Sequence, residues 1–337
     1  MDKSIYFEKK ILIIGGSGTI GNYLLEELLK HEPKVIRVFS RDEFKQFELQ
    51  QKYNNYKNIR YLIGDIRDEQ RVTRAMEDID YVFHLAAMKH VPSCEYNPFE
   101  AVKTNVIGTQ NIIQAALQTG VKKVLFTSSD KAISPTNTYG ATKLTAERLI
   151  AATQFQKGPK QTIFLAVRFG NVMGSRGSVI PLFKEQILKE SFVTITDENM
   201  LRYMMTPNQA ISLLLRANEL AKGGEVFVLK MPIIKLKDLV EIIIEEMKTR
   251  FLISKSIDIK KIGIRPGEKL YEELMTEDEA RIAIETNSMY IIPPAFGGEF
   301  RNYPEQLSKG VKLPKPTKDM VISKNILRQW MLNEDLI

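Results

Sequence analysis

The chain has 337 residues, 44% of them hydrophobic, and a net charge of +7 from 48 basic and 41 acidic side chains. The apolar content suffices for a large body with a smaller lobe, and the charges are dispersed, which argues against a nucleic-acid partner and leaves small anionic ligands as sufficient ones. The single Cys94 excludes a disulfide framework and the scattered His31, His84 and His90 a metal site; with no signal peptide or spanning run, a cytoplasmic protein that meets no membrane is expected.

The aliphatic run Ile11-Leu12-Ile13-Ile14 predicts a buried strand entering Gly15-Gly16-Ser17-Gly18-Thr19-Ile20-Gly21 and an amphipathic segment from Tyr23 to Leu29. Strand, glycine turn and helix in this order form a dinucleotide fingerprint. Gly15 permits the tight turn, Gly18 lets the backbone approach a pyrophosphate, and Gly21 allows the helix to pack on the strand, with the helix N-terminus facing the negative charge. Ser17, Thr19 and Ile20 join Gly15 and Gly18 as expected cofactor contacts.

The second strand, Val35 to Phe39, ends in Ser40-Arg41-Asp42, with Lys45 soon after. An NAD site usually places an acidic residue directly at that strand end, whereas Ser40, Arg41 and Lys45 suit a 2′-phosphate. NADP is therefore expected over NAD, although Asp42 can still reach a ribose. Asp65 and Ile66, after the strand Arg60 to Ile63, are placed against the adenine edge and face. Ala86 and Ala87, after Tyr81-Val82-Phe83, are small enough for the dinucleotide to pass close. His84 reads as a packed histidine. Lys89 and Asn105 read equally as cofactor or sugar contacts, or as a surface lysine and a helix-interior hydrogen-bonder.

The run Lys123-Val124-Leu125-Phe126-Thr127 predicts a buried parallel strand, which places Ser129, Asp130 and Lys131 at its carboxyl end, where open α/β sheets put their sites. Tyr139 and Lys143 then lie four apart on a helix beginning near Asn137-Thr138 and share a face. An unperturbed tyrosine, with a pKa of about 10, is a poor base at neutral pH; a nearby ammonium and an oxidised nicotinamide favour its phenolate. Acid, amine and Tyr/Lys pair together suit oxidation of an alcohol followed by elimination of water beside the new ketone. Thr127 and Ser129 offer hydroxyls to orient a substrate. Arg168, Asn171, Ser178 and Val179 flank a loop entering a helix near Val179-Ile180-Pro181, and such an N-terminus favours phosphate. The strand Glu225 to Leu229 completes or covers the sheet. Lys312 to Pro316 marks a break before a helix from Asn325 to Leu332, whose Ile326, Leu327 and Trp330 are expected to dock on the body or on another subunit.

These motifs, with Met88-Lys89-His90-Val91-Pro92, Glu95-Tyr96-Asn97-Pro98, Lys103-Thr104-Asn105, Tyr139-Gly140-Ala141-Thr142-Lys143 and Gly263-Ile264-Arg265-Pro266-Gly267-Glu268-Lys269, resemble an extended short-chain dehydrogenase/reductase. Within that group the resemblance is to the inverting UDP-N-acetylglucosamine 4,6-dehydratases of bacterial pseudaminic-acid and capsular-sugar pathways. It implies an α/β Rossmann-type, doubly wound, mainly parallel sheet with a smaller C-terminal substrate lobe, NADP, a UDP-sugar substrate and a homo-oligomer. Residues 1–173, rejoined by about 206–245, are expected to bind NADP, and 174–205 with 246–337 to form the sugar-nucleotide lobe and tail.

Under the resemblance Asp130, Lys131, Tyr139 and Lys143 are catalytic. Tyr139 takes the C4 hydroxyl proton, a neutral Lys131 with a depressed pKa removes the C5 proton, and a protonated Asp130 serves the departing C6 hydroxyl. Tyr139, Lys143, Lys89 and Asn105 also touch the cofactor. Lys89, Ser129, Asn171, Ser178, Val179, Arg202, Arg265 and Glu268 hold the substrate, Arg265 at the diphosphate and Glu268 at the uridine hydroxyls. The chain departs from the family at Leu201, in Met200-Leu201-Arg202-Tyr203, and at Ser129, both where threonine is common. A C4 or C5 epimerase, a retaining or partial dehydratase, and a non-catalytic nucleotide binder stay open; a simple C4 epimerase has no need of Asp130-Lys131.

Overall fold

Apolar strands alternate with helices through the first half of the chain, and the computed structural model describes residues 3–175, 177–264, 267–296, 302–312 and 316–337. The order is β1 (Lys10–Ile14), α1 (Thr19–Leu29), β2 (Val35–Ser40), α2 (Glu43–Lys52), β3 (Ile59–Ile63), α3 (Glu69–Met76), β4 (Tyr81–His84), α4 (Val91–Tyr96), α5 (Pro98–Ala101), α6 (Gly108–Thr119), β5 (Lys123–Thr127), α7 (Thr138–Gln156) and β6 (Ile163–Arg168). The second half carries β7 (Asn171–Val172), α8 (Val179–Glu190), β8 (Phe192–Ile195), β9 (Leu201–Met205), α9 (Pro207–Leu220), β10 (Val226–Leu229), β11 (Ile233–Lys235), α10 (Leu236–Arg250), β12 (Asp258–Lys261), α11 (Glu277–Ile282), β13 (Ile284–Glu285), β14 (Met289–Ile292), β15 (Ser308–Lys309) and α12 (Lys324–Asn333).

Among the described residues, ten strands form the main sheet in the order β3-β2-β1-β4-β5-β6-β10-β14-β13-β15. From β3 to β10 every pairing is parallel, and β14, β13 and β15 close the far edge antiparallel. Strands of a parallel sheet covered on both faces are apolar throughout rather than alternating, which is why Ile11 to Ile14 and Phe164 to Val167 are all buried. The order 3-2-1-4-5-6 reverses direction between β1 and β4. There Ile14 pairs with His84, so both carboxyl ends open into one crevice.

Capping residues set where the helices begin. Asp42 accepts from Lys45 N to start α2, Asn137 accepts from Gly140 N to start α7, and Thr206 forms a reciprocal capping box with Gln209 at α9. Gly120, at φ 72°, ends α6 in the left-handed region.

A second apolar core lies outside the sheet. Ile180, Phe183 and Ile187 of α8 meet Leu239, Val240 and Ile243 of α10, with Leu327 and Met331 of α12. Burying each such side chain contributes roughly 1.5–3 kcal/mol, so α12 is fixed by its apolar stripe. Leu327 is buried and Trp330 packs beside it, whereas Ile326 stays exposed. This core corrects two expected boundaries. Helix α10, assigned by sequence to the cofactor body, belongs to the lobe, while β13, β14 and β15, assigned to the lobe, extend the main sheet. The two-residue β13 and β15 have too short a pattern to announce which sheet they join, and the four-residue β14 lies between β13 and β10.

Candidate active site

The glycine turn between β1 and α1 is shaped by close backbone approaches. Gly15 has φ 83°, and a Cβ there would stand 2.8 Å from Ala86 N. A Cβ on Gly21 would stand 2.5 Å from Gly16 Cα, so only glycine lets α1 start against the turn. Gly15 N donates to Phe39 O at 2.8 Å, tying the turn to β2. A cavity of about 1400 Å³ opens above it, lined by Gly15, Ser17, Gly18, Thr19 and Ile20 and, across the crevice, by Ala86, Ala87 and Lys89. Room for a dinucleotide, a cradle that a Cβ would fill and a helix N-terminus facing the space all fit a nicotinamide dinucleotide.

Ser40, Arg41 and Lys45 reach the same cavity. The Asp42 carboxylate caps α2 and pairs with Lys45, so it is engaged by its own helix. Arg41 is more than half exposed and lies 3.6 Å from Asp65. The Asp65 carboxylate is gripped by Arg67 at 2.7 Å. Burial opposes ionisation of Asp65, but the Arg67 hydrogen bonds and Arg41 outweigh it and hold its pKa below the usual range. Gly64 and the buried Ile66 present the adjoining surface. Gln46, to which the sequence reading gave no role, donates from Nε2 to Ser40 Oγ, Ser40 O and Leu62 O and so fixes the ends of β2 and β3.

Of the two readings open for Asn105, the geometry fits the hydrogen-bonder. It sits in the wide turn Val102–Ile107 with Oδ1 accepting from Met88 N at 2.8 Å and Nδ2 donating to Met88 O and Thr142 Oγ1. Both of its donors are used within the protein, so it positions the Met88 loop against α7 rather than touching a cofactor.

The chemistry-bearing groups gather where β5 meets α7. Ser129 is the cap of a single helical turn, Asp130–Ala132, and Gly140 of α7 comes so close that a Cβ would stand 2.1 Å from Lys131 O. Tyr139, Lys143 and Glu147 follow at four-residue intervals on the buried face of α7. Lys143 Nζ donates to Thr127 O at 2.7 Å and lies over the Phe126 ring, and burial pulls its pKa down to about 7. Burial raises the Tyr139 phenol above its ordinary value, with a Ser129 hydrogen bond and the Lys131 charge opposing. Below the helix, His84 Nε2 meets Thr109 Oγ1 at 3.0 Å; full burial and then the Lys143 charge keep this imidazole neutral. Its packed character matches the expectation.

Lys131 departs from expectation. Its Nζ donates to Asp130 Oδ1 at 3.0 Å and lies 3.8 Å from Glu272 Oε1. Burial disfavours its charge, yet Asp130 and then Glu272 outweigh that and raise its pKa instead of depressing it. The resting group is an ammonium held by two carboxylates. Asp130 is fully buried, accepts from Ser129 Oγ at 3.0 Å, and turns Oδ2 toward Gly170, where a Cβ would stand 2.8 Å away. Glu272 was not singled out from the sequence. It follows an ordinary Tyr271, far along the chain from Lys131, and only folding brings the two together.

Toward the lobe, Arg202 Nη1 and Nη2 donate to Leu270 O and Lys269 O and approach Glu268 Oε1 at 3.3 Å. Arg202 and Glu268, both expected at the substrate, are thus paired with each other. Lys269 Nζ donates to Ile133 O and Ser134 O, and Gly267 O accepts from Thr136 and Asn137, so this strap docks on the loop before α7. Arg265 lies outside the described residues. Asn171 Nδ2 donates to Tyr203 O at 3.3 Å. Ser178 is the N-cap of α8, ahead of Val179, and its buried Oγ has no partner among the described residues. Arg168, read from sequence toward phosphate, is a correction: wholly buried, it pairs with Glu147 at 2.6 Å and Glu279 at 2.9 Å and donates to Leu274 O. It joins α7, β6 and α11 and is closed to ligand.

A family of polysaccharide biosynthesis proteins matches residues 11–294. The chain is similar to a protein of Methanocaldococcus jannaschii described as an uncharacterized membrane protein, 52% identical over 292 residues, 86% of this chain and 87% of that one. No helix among the described residues is long and apolar enough to cross a membrane. The chain is 43% identical over 289 residues to the UDP-N-acetylglucosamine 4,6-dehydratase (inverting) of Campylobacter jejuni, covering 85% of this chain and 83% of that enzyme. Its structure resembles the X-ray structure of Pen from Bacillus thuringiensis with a TM-score of 0.92 at 54% identity, over 99% of this chain and all of that one, counted as 100%. With the glycine cradle at the reversal of strand order and the Tyr139/Lys143 helix beside it, these likenesses show that the chain belongs to the polysaccharide biosynthesis protein family, on the extended short-chain dehydrogenase/reductase fold.

Proposed function

We propose that this protein is a UDP-N-acetylglucosamine 4,6-dehydratase that uses NADP and inverts C5, giving a UDP-linked 4-keto-6-deoxy sugar. The observation that carries the reading is the pair of the buried Asp130 and the part-buried Lys131, 3.0 Å apart, beside Tyr139 at the carboxyl end of β5. An enzyme that only oxidised and reduced C4 would need Tyr139 and Lys143 alone. The Campylobacter jejuni relative, by its name, performs this dehydration with inversion.

NADP bound at the glycine cradle would supply the acceptor of the C4 hydride and later its donor to C6 of the 5,6-ene. Ser17, Gly18, Thr19 and Ile20 would hold its pyrophosphate, Arg41 its 2′-phosphate, and Ile66 its adenine. Tyr139 takes the proton of the C4 hydroxyl, the Ser129 hydrogen bond and the Lys131 charge favour its phenolate against burial, and Lys143 shares its helix face. The resulting ketone acidifies C5. Lys131 passes its proton to Asp130, the free amine so formed removes the C5 proton, and Asp130 delivers the proton it received to the C6 hydroxyl as that leaves as water. Ser129, hydrogen-bonded to Asp130, orients that acid. The N-terminus of α8, with Ser178 and Val179, suits the diphosphate, while Lys89 at the cavity wall and Asn171 lie toward the sugar. A soluble cytoplasmic homo-oligomer accords with this role.

A proton NMR time course with UDP-N-acetylglucosamine in deuterated water, without added cofactor, tests the reading. A new C6 methyl signal with deuterium at C5 supports dehydration, and its couplings separate inversion from retention. Release of a 5,6-ene would show that one partial step is catalysed. An unchanged substrate, with C5 exchange only in a supplied 4-keto-6-deoxy sugar, would overturn dehydration in favour of a C5 epimerase.

A further inference from the structure

Glu272 is 4% exposed, and its Oε2 has no hydrogen-bond partner among the described residues. Its other oxygen lies 3.8 Å from Lys131 Nζ, which Asp130 Oδ1 also accepts from at 3.0 Å, while Asp130 Oδ2, turned toward Gly170, is unpartnered among the described residues. A buried carboxylate left half-satisfied is costly, and this fold retains one beside the group required to act as a base. We propose that Glu272 is a positioning residue of the dehydration site, the carboxylate that with Asp130 holds Lys131 as an ammonium and so sets how readily Lys131 sheds the proton it must lose before taking one from C5. This rests on the dehydratase reading.

The groups facing the pair come from every element around it. Asp130 on the single turn and Tyr139 on α7 favour the Lys131 charge, and Arg202 on β9 opposes it. Glu272 feels burial first, then Lys131, Asp130, Arg202 and Lys269, with a net rise in its own pKa. Two carboxylates around one amine make the ammonium the stable resting form; removing one negative charge makes the free amine easier to reach.

The experiment is the pH profile of kcat and of C5 deuterium incorporation for the full chain and for Glu272→Gln and Glu272→Asp. In Glu272→Gln the rising limb of both profiles is expected to move at least one pH unit lower, with KM changed less than threefold. Glu272→Asp, which keeps the charge, should hold the limb within about half a unit of the parent. A Gln variant with an unmoved limb, whether its KM rises or its stability falls, would overturn the proposal and leave Glu272 a structural carboxylate. Should Glu272→Gln fail to fold, a limb in Glu272→Asp displaced as far as a full unit would overturn it equally, and a retained limb with turnover would support it. If the parent protein makes no C6 methyl product, the dehydratase reading itself fails, which is a separate result.

Discussion

Lys143 shows how burial tunes one side chain at this site. Its folded pKa of about 7 lies below the ordinary 10.5, so between those values the unfolded chain holds a proton that the folded chain has released. Stability should therefore rise with pH from about 7 toward 10.5, by at most about 1.4 kcal/mol per pH unit from this group. Urea titrations at pH 7 and 9 should show the rise in the parent and lose this contribution in Lys143→Met. Tyr139 sits in the same enclosure, where burial keeps its proton on. Tyr139→Phe should lower turnover by about 10²- to 10⁴-fold, the range for a lost acid-base group, while dinucleotide binding measured by fluorescence titration stays within a few-fold. Lys131→Ala should stop elimination with NADP still bound; normal turnover in that variant would remove Lys131 as the base.

At the scale of elements, α7 is held at both ends by polar contacts rather than by a continuous apolar stripe. Its start is set against the Asp130 turn by Gly140. Gly140→Ala would press a methyl onto Lys131 O, where only 2.1 Å is available, and the helix must retreat. The cost should be about 1–3 kcal/mol of stability, with dehydration falling further than dinucleotide binding, as parallel turnover and titration measurements would show. Further along, Glu147 meets Arg168, which also binds Glu279 of α11. Arg168→Met would leave the buried Glu147 without its cation and Glu279 with only the more exposed Arg148, 3.4 Å away. Loss of one partner from such a network costs about 3–5 kcal/mol, and chemical denaturation should show a lower midpoint with an unchanged slope.

For the whole molecule, the crevice serves two ligands because two cores meet beside it. The main sheet carries the cofactor cradle, and Ser175, Glu334 and Asp335, in segments adjoining α8 and α12 of the second core, line the cavity from the other side. The strap from Gly267 to Leu270 links them, through Thr136, Asn137 and Lys269 on one side and Arg202 on the other. On the proposed preference for NADP, selection falls to Arg41 at the rim of the crevice. Arg41→Ala should weaken NADP by about tenfold, the loss of one charge-assisted hydrogen bond, and leave NAD nearly unchanged in calorimetric titrations. Equal weakening of both would remove Arg41 as the 2′-phosphate contact.

The sequence by itself determined what is local. Four aliphatic residues before a glycine turn specify a buried strand running into a helix, and the 3.6-residue period puts Tyr139 and Lys143 on one face, because these depend on backbone sterics and neighbours a few positions apart. Adjacency in the chain likewise made Asp130 and Lys131 legible as a pair. Only the tertiary structure decided matters that depend on distant partners. Arg168 looked like a phosphate ligand until Glu147 and Glu279 were seen to enclose it, and Asn105 stood between a ligand contact and an internal hydrogen-bonder until Met88 and Thr142 took up its donors. The edge strands β13 to β15 joined the main sheet without a pattern long enough to say so. Glu272 gave no sign beforehand, and after Asp130 it helped reverse the expected direction of the Lys131 shift. A side chain's charge is set by its burial and by whichever groups come within a few ångströms, and for groups so far apart in sequence those distances exist only once the chain has folded.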